Sequence, residues 1–329
     1  MADLSLAAFA KRIEMAFRPW RSGTPFAARH AAFRSFTTNK PKVNAMIIRL
    51  VALASLAVLI LGRAKAEEPD KSGYTLFDPV PDDLMRKFAP DRPTKGFSVR
   101  TIDAGHVEIE ADLVNTTTSN SPGGVTHSIQ GLDPTVKLGL TNWMDVEVQF
   151  NGLQYSESFD GTSPFNFQNA TGFGDVFLRT KMNLLGNDNG PVGFALIPYV
   201  KLPSSTPLIS NGAVEGGLIA PLALRPGDFI ITVMTEVDDL KSTAGNNRYA
   251  NFVNLVSVSH GVPGLEGVNA MVELYSSVGT DPATAPIYTL DFGMNFRLDQ
   301  HTILDIGVNL GLNSAAPKAQ IYTGISARF

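Results

Sequence analysis

The amino-acid sequence predicts an all-β protein: an antiparallel, up-and-down transmembrane β-barrel of about twelve strands, preceded by a signal peptide and a short irregular leader. Three observations predict it: an export signal before residue 67, apolar and polar residues that alternate along twelve segments, and connections of alternating length. They divide the 329 residues into an upstream extension (1–45), a signal peptide (46–66), an irregular periplasmic leader (67–104) and an outer-membrane barrel (105–329).

Charge separates the beginning of the chain from the rest. The formal net charge is -4, yet residues 1–66 carry 11 Lys and Arg against 2 Asp and Glu, whereas the remainder carries 16 against 29. A basic segment ahead of an acidic one indicates a targeting sequence followed by a functional domain. The acidic part argues against nucleic acid as a partner, which needs a basic surface. The chain has no cysteine, which excludes thiol nucleophiles and cysteine-ligated zinc.

Residues 46–66 have the three parts of a secretory signal peptide. A basic start at 46–49 precedes an unbroken apolar run at 50–61, and Ala64 and Ala66 occupy the small-residue positions of a cleavage site. As a helix the run would rise about 18 Å, short of the roughly 30 Å hydrocarbon core, which disfavours a permanent membrane anchor as the alternative. We expect Glu67 to begin the mature, exported protein.

The segments on either side of the signal peptide carry no predicted fold. Residues 1–45 are rich in Arg, Ala and Phe; we expect an upstream extension outside the fold, with a mitochondrial-type transit peptide as the alternative. Residues 67–104 are polar and rich in proline up to Pro93. That composition favours irregular backbone.

From residue 105 onward, apolar and polar residues alternate with a period of two. Val107, Ile109 and Ala111, for example, alternate with Glu108 and Glu110. Successive side chains of a strand point to opposite faces, so this period predicts strands with one apolar and one polar face. The twelve predicted strands are 105–116, 128–140, 144–156, 173–185, 191–203, 213–224, 228–239, 249–261, 266–278, 286–298, 302–313 and 317–329.

Strand length distinguishes a membrane barrel from a soluble sheet. Strands of soluble sheets have about 5–6 residues, whereas a tilted membrane-crossing strand needs about 9–11, and the predicted segments are at least that long. The alternative is a soluble β-sandwich or lipocalin-like barrel with its apolar face inward. The charged and glycine-rich polar face favours a membrane barrel with that face inside.

The connections between the predicted strands support the same fold. Longer ones (117–127, 157–172, 204–212, 240–248, 279–285) alternate with shorter ones (141–143, 186–190, 225–227, 262–265, 299–301), and only 314–316 breaks the rule. Outer-membrane barrels have short periplasmic turns and long extracellular loops. An even strand number then places both barrel termini in the periplasm.

Several motifs resemble one family in this order along the chain. They are Asp91-Arg92-Pro93, Asp103-Ala104-Gly105-His106, Gly172-Phe173-Gly174-Asp175 and Glu215-Gly216-Gly217 with Pro221-Leu222-Ala223. Over residues 74–329 the chain resembles the outer-membrane "meta-pathway of phenol degradation" transporter family. The resemblance implies an outer-membrane transporter associated with aromatic catabolism, with hydrophobic or aromatic compounds as cargo and no catalysis of phenol degradation.

The polar faces of the predicted strands supply the candidate functional residues. They would line the lumen of a passive channel and select solutes by charge, or else pair across a closed interior. The candidates are Glu108, Glu110, Asp112, Lys137, Asp145, Glu147, Arg179, Lys181, Lys201, Glu236, Asp238, Glu273, Asp291, Arg297, Asp305, Lys318 and Arg328.

Other functions are less favoured by the sequence. A structural or surface-interaction barrel with a blocked lumen is the first alternative. A barrel phospholipase is the second, with Ser259-His260 as the one adjacent pair of suitable residues. The histidines lack metal-ligand spacing, so we expect no cofactor or metal. Expected partners are outer-membrane lipid, small-molecule solutes and, through the terminal Phe329, the barrel-assembly machinery.

Overall fold

The computed structural model describes residues 70–121, 124–160, 167–188, 190–207 and 209–329. The predicted upstream extension and signal peptide lie outside the described residues. Within them, the one helix is a short 3-10 turn at Asp82–Leu84. No helix in the described part of the chain combines the length and apolar character needed to cross a membrane.

The described residues form one antiparallel sheet of fifteen strands. Their bounds are β1 Val107–Ser121, β2 Gly124–Gly131, β3 Asp133–Thr141, β4 Met144–Phe150, β5 Leu153–Asp160, β6 Phe167–Phe173, β7 Val176–Leu185, β8 Val192–Leu202, β9 Glu215–Leu224, β10 Ile230–Lys241, β11 Arg248–Gly261, β12 Val268–Gly279, β13 Ile287–Arg297, β14 Thr302–Gly311 and β15 Ala319–Arg328.

Three pairs of strands each form one barrel strand with a short interruption, so the fifteen segments make twelve barrel strands. The pairs are β2 with β3, β4 with β5, and β6 with β7. β15 pairs with β1 along most of its length, from Glu108↔Arg328 to Thr118↔Ala319, and thereby closes the sheet. The predicted all-β, closed, twelve-stranded antiparallel barrel is confirmed.

The first four barrel strands extend farther than the sequence predicted. β1 continues to Ser121 and its partner begins at Gly124, within the predicted loop 117–127. β5 and β6 likewise occupy much of the predicted loop 157–172. These extensions are rich in Thr, Ser and Asn and lack an apolar face, so period two could not reveal them. The predicted contrast in loop length therefore fails for the first two loops.

The strand interruptions bring backbones into close contact. Leu132, between β2 and β3, has a φ of 53°, and Gly152, between β4 and β5, lies against it. A Cβ placed on Gly152 would lie 1.8 Å from the carbonyl oxygen of Leu132. No side chain fits such a gap, and the backbone carbonyl cannot move aside without breaking the local pairing.

We expect Gly152→Ala to destabilise the barrel by about 1–3 kcal/mol, the usual cost of forcing atoms into a filled site. Urea-induced unfolding in lipid vesicles would measure it. Gly245→Ala is the matched control, because a Cβ at Gly245 meets nothing within 4 Å. Equal free energies of unfolding for the two variants would contradict the steric argument.

The two faces of the barrel differ in chemistry. Large apolar side chains are exposed on the outer face, among them Leu178, Phe252, Leu274, Phe292 and Ile321. Soluble monomers rarely expose contiguous apolar patches larger than a few hundred Å². An apolar belt around a closed barrel is the surface that hydrocarbon stabilises, and closure satisfies every backbone group of the ladder.

The leader lies in a place that the sequence did not predict. Its backbone is irregular, as expected, but residues 86–103 contact inward-facing side chains on strands all round the barrel, from β1 to β15. A segment that touches every side of a closed ring lies inside it. The prediction of a wholly periplasmic leader is therefore corrected: residues 86–103, named here the plug, occupy the lumen. The polar inner face, which needs hydrogen-bond partners, explains why a polar segment fills it.

Candidate functional site: a plugged polar lumen

The inward face carries the charged residues that the sequence singled out. Of the seventeen candidates, sixteen lie on strands at positions that alternate with outward-facing residues. Arg179, Glu236 and Arg297 are half-buried and the other thirteen are buried. Lys318 lies instead in the connection before β15. Whether these side chains line a path for solutes remains a prediction, since most of them face the plug.

Asp91 of the plug lies at the centre of a buried cluster of charges. Its carboxylate is 2.7 Å from Nζ of Lys137 and 3.0 Å from Nζ of Lys181. Lys137 also contacts the carboxylates of Glu108, at 3.2 Å, and Glu110. Asp91 thus joins a lysine on β3 to a lysine on β7.

Two basic residues of the plug bind carboxylates on β1, β13 and β14. The guanidinium of Arg92 bridges Asp112 on β1, at 2.6 Å, and Asp305 on β14, at 2.8 Å. Lys95 donates to Thr289 at 2.7 Å and pairs with Asp291 on β13 at 2.9 Å. Together with the Asp91 cluster, these contacts hold the plug across the lumen between strands far apart in the ring.

The plug also makes apolar contacts on one side of the lumen. Phe97 packs against a cluster of buried side chains from β8 to β11: Ile197, Ile219, Met234, Val253 and Leu255. Val99 packs against Ala195 and Ala223. The small side chains of Ala195 and Ala223 leave room for Val99. The plug side chains thus occupy space that water would fill in an open lumen.

Both ends of the plug lie at the short-turn end of the barrel. The backbone N–H of Arg86 donates to the Asp103 carboxylate at 3.0 Å, so the segment enters and leaves at the same point. Arg86 also pairs with Asp188, in the turn before β8, at 2.9 Å. Partial burial would raise the pKa of Asp188, but Arg86 and Lys71 outweigh it and hold that pKa below its usual value. Asp188, which lies in the predicted short connection 186–190, is therefore an anchor for the plug.

A cavity of about 280 Å³ remains between the plug and the inward face of strands β9 to β14. Protein interiors are normally close-packed, with few voids larger than a water molecule. A void of this size is therefore unusual for a filled protein interior. Its deeper walls are apolar, with Val99, Met271 and Ile303, and its outer part is polar, with Arg297 and Asn269. The exposed side chain of Asn269 places the mouth of the cavity at the short-turn end.

The residues proposed for an enzyme do not form a catalytic pair. Ser259 lines the cavity, but His260 is the next residue of the same strand and points to the opposite face. Its ring packs against Phe229, with 4.4 Å between ring centroids. A general base must reach the hydroxyl it activates, so the adjacent pair cannot act as Ser and His of a triad. Within the described ranges no group of His, Asp and Glu could hold a metal ion.

Sequence reasoning missed the functional part of the leader. Asp91 and Arg92 stand out in the sequence only as part of a motif, and Arg86 and Lys95 are not among the candidates. A signal was nevertheless present, because residues 86–103 carry five basic and two acidic side chains ahead of an acidic barrel. Opposite net charges on two segments of one chain favour contact between them.

The fold and the site together define a class: a closed, twelve-stranded barrel with an apolar exterior and a charged interior that holds a plug from the same chain. Its sequence matches a family model over residues 90–329. The chain belongs to the family described as "Putative MetA-pathway of phenol degradation". A search of curated proteins finds no match.

Solved structures with related folds are distant in sequence. A NanC porin is 8% identical, with 67% of this chain and 98% of that chain covered and a TM-score of 0.44. The translocator domain of autotransporter NalP from Neisseria meningitidis is 10% identical (68% and 88% covered, TM-score 0.43). The beta domain of the Bordetella autotransporter Brka is 11% identical (67% and 98% covered, TM-score 0.41).

Proposed function

We propose that this protein is an outer-membrane channel for small solutes in which the plug acts as the gate. The cavity beside the plug is the observation that carries the proposal. A barrel that served only as a structural element would gain stability by filling its interior to normal protein density. Here about 280 Å³ stays open, between polar contacts that water can replace when the plug moves.

The contacts of the plug suit a gate. Most are ion pairs and hydrogen bonds, such as Lys95 with Asp291 and Arg92 with Asp305. The desolvation cost of buried ions offsets much of their Coulomb attraction, and rehydration recovers it when such pairs separate in a water-filled lumen. Release of the plug is therefore less costly than release of an apolar segment of equal length.

A second candidate function has a specific observation in its favour. The plug fills the lumen in this structure, which is what a structural or surface-interaction barrel with a blocked lumen would show. The extended strands β5 and β6 would then present the working surface. Flux measurements separate the two functions, because a permanently blocked barrel passes no solute.

The test uses proteoliposomes and a disulfide that locks the plug to the wall. A Cβ on Gly193 of β8 would lie 2.6 Å from Cγ2 of Val99, so the two Cβ atoms fall within about 4 Å, the range of a disulfide. The natural chain has no cysteine, so V99C/G193C forms one defined bond. We expect solute flux from the wild type, none from the oxidised variant, and recovery after dithiothreitol.

Each single variant, V99C or G193C, serves as a control for the substitutions themselves. Heat-modifiable migration in SDS gels establishes that every sample is a folded barrel. Folded wild-type protein that passes neither ions nor small solutes would contradict the channel and favour the blocked barrel.

Cargo, export and assembly belong to the same proposal. The family description supports hydrophobic or aromatic compounds as cargo. Export would use the signal peptide at 46–66. The terminal Phe329 has a largely exposed side chain, while its backbone pairs with Val107 at 2.8 Å and 3.0 Å. An exposed aromatic side chain at the closing seam is accessible to barrel-assembly machinery before the seam closes.

A further inference from the structure

The mouth of the cavity beside the plug is positively charged. Two basic side chains, Lys87 and Arg297, line it there, and the acidic side chain in the lining is Asp91. The Asp91 carboxylate is already shared between Lys137 and Lys181. It is therefore not available to neutralise the basic residues at the mouth of the cavity.

Arg297 is the clearest case of an unneutralised cation at this cavity. It lies half-buried near the end of β13, and it donates one hydrogen bond, from Nη2 to the carbonyl oxygen of Phe88 at 2.6 Å. It forms no salt bridge with any described carboxylate, in contrast to Arg92, which forms two. A guanidinium presents five donors in a planar fork that suits a carboxylate.

The walls behind Arg297 are apolar. Met271 and Ile303 are buried at 7% and 3% exposure, and Phe88 and Val99 of the plug at 2% each. A Cβ on Gly293 would lie 2.6 Å from Pro93 and 2.9 Å from Met271, so a side chain larger than that of glycine would displace these walls. A volume of about 280 Å³ is at the small end of ligand-binding cavities, and it suits one ring-sized body.

We propose, building on the channel function above, that this cavity is a binding site for a small organic carboxylate with an apolar, ring-sized body. The carboxylate pairs with Arg297 at the short-turn end, where Lys87 adds a second positive charge. The apolar body lies against Met271 and Ile303. Charge at the mouth and apolar surface in depth select against both inorganic anions and neutral rings.

Benzoate is the probe, and binding is measured by titration calorimetry on the folded full barrel in detergent micelles. We expect saturable binding of one benzoate, with benzyl alcohol, its neutral analogue, at least about tenfold weaker because it lacks the charge-assisted contact. Equal affinity for the two compounds would overturn the assignment of an anion site. Equal affinity for benzoate and chloride would overturn the apolar part of the site.

Variants locate the site. Arg297→Gln is expected to weaken benzoate binding about tenfold, whereas Arg248→Gln, which removes an exposed arginine outside the cavity, leaves it unchanged. Lys87→Gln, at an exposed position of the plug, tests the site without altering a strand, and about threefold weakening is expected from one more distant charge. Wild-type affinity in both Arg297→Gln and Lys87→Gln would overturn the proposal.

This experiment is independent of flux. Benzoate binding by a barrel that passes no solute would support the site and contradict the channel. Solute flux through a barrel that does not bind benzoate would contradict the site and leave the channel supported.

Discussion

Removal of the plug is expected to turn the barrel into a permanently open, cation-selective pore. The variant replaces residues 88–101 with Gly-Ser-Gly. Such a linker is feasible because the two ends of the plug are adjacent, with the Arg86 N–H 3.0 Å from the Asp103 carboxylate. Without the plug, water fills the lumen of a barrel whose width lies between that of a filled eight-stranded barrel and an open sixteen-stranded one.

The expected selectivity follows from the charges that the plug leaves behind. The sixteen inward candidates on strands comprise ten acidic and six basic residues, and the plug supplies Arg92 and Lys95 to offset the excess. In planar bilayers we expect single-channel conductance at least about tenfold above that of the wild type. The reversal potential in a KCl gradient should indicate preference for K⁺, because a ring of carboxylates attracts cations.

The control keeps the plug but removes one of its ion pairs, as in Lys95→Met. It should show brief openings at most, because Arg92 and Asp91 still hold the segment. Conductance of the deletion variant equal to that of the wild type would show that residues 88–101 do not obstruct the lumen.

Lys137→Met is expected to destabilise the barrel more than Gly152→Ala or Arg248→Met. Lys137 is buried at 2% exposure and contacts the carboxylates of Asp91, Glu108 and Glu110. Its removal leaves three carboxylates close together without their shared cation. Loss of one partner from a buried ion pair typically costs about 3–5 kcal/mol, because the remaining charge stays desolvated. Urea-induced unfolding in lipid vesicles measures it.

Arg248→Met is the matched control. Arg248 pairs with Asp239 at 2.7 Å, but the two side chains are 42% and 64% exposed, and exposed ion pairs contribute at most about 1 kcal/mol. A second variant, K137M/E110Q, should recover part of the lost free energy of unfolding, because it removes the charge of one carboxylate that has lost its cation. If Lys137→Met unfolds at the same urea concentration as Arg248→Met, the buried cluster does not stabilise the barrel.

The prediction from sequence succeeded where neighbouring residues alone determine the strand and the side to which each side chain points. In Val107–Ala111 and in Tyr288–Phe292, period two identified both the strand and its outward face, since each residue's side is fixed by its parity along the strand. It failed in β1 beyond Thr116, in β5 beyond Ser156 and in β6 before Phe173, where strand pairing continues without an apolar face. The loop lengths derived from those boundaries failed with them.

Sequence by itself determined the class of fold, the number of barrel strands and the set of inward charges. All three follow from the alternation of residues two apart, which requires no knowledge of distant segments. Only the tertiary structure decided that the leader enters the lumen and leaves a cavity beside Arg297. The contacts responsible join residues far apart in sequence, such as Arg92 and Asp305, separated by 213 positions. Their pairing depends on closure of the barrel, which brings β1 and β14 to the same side of the plug.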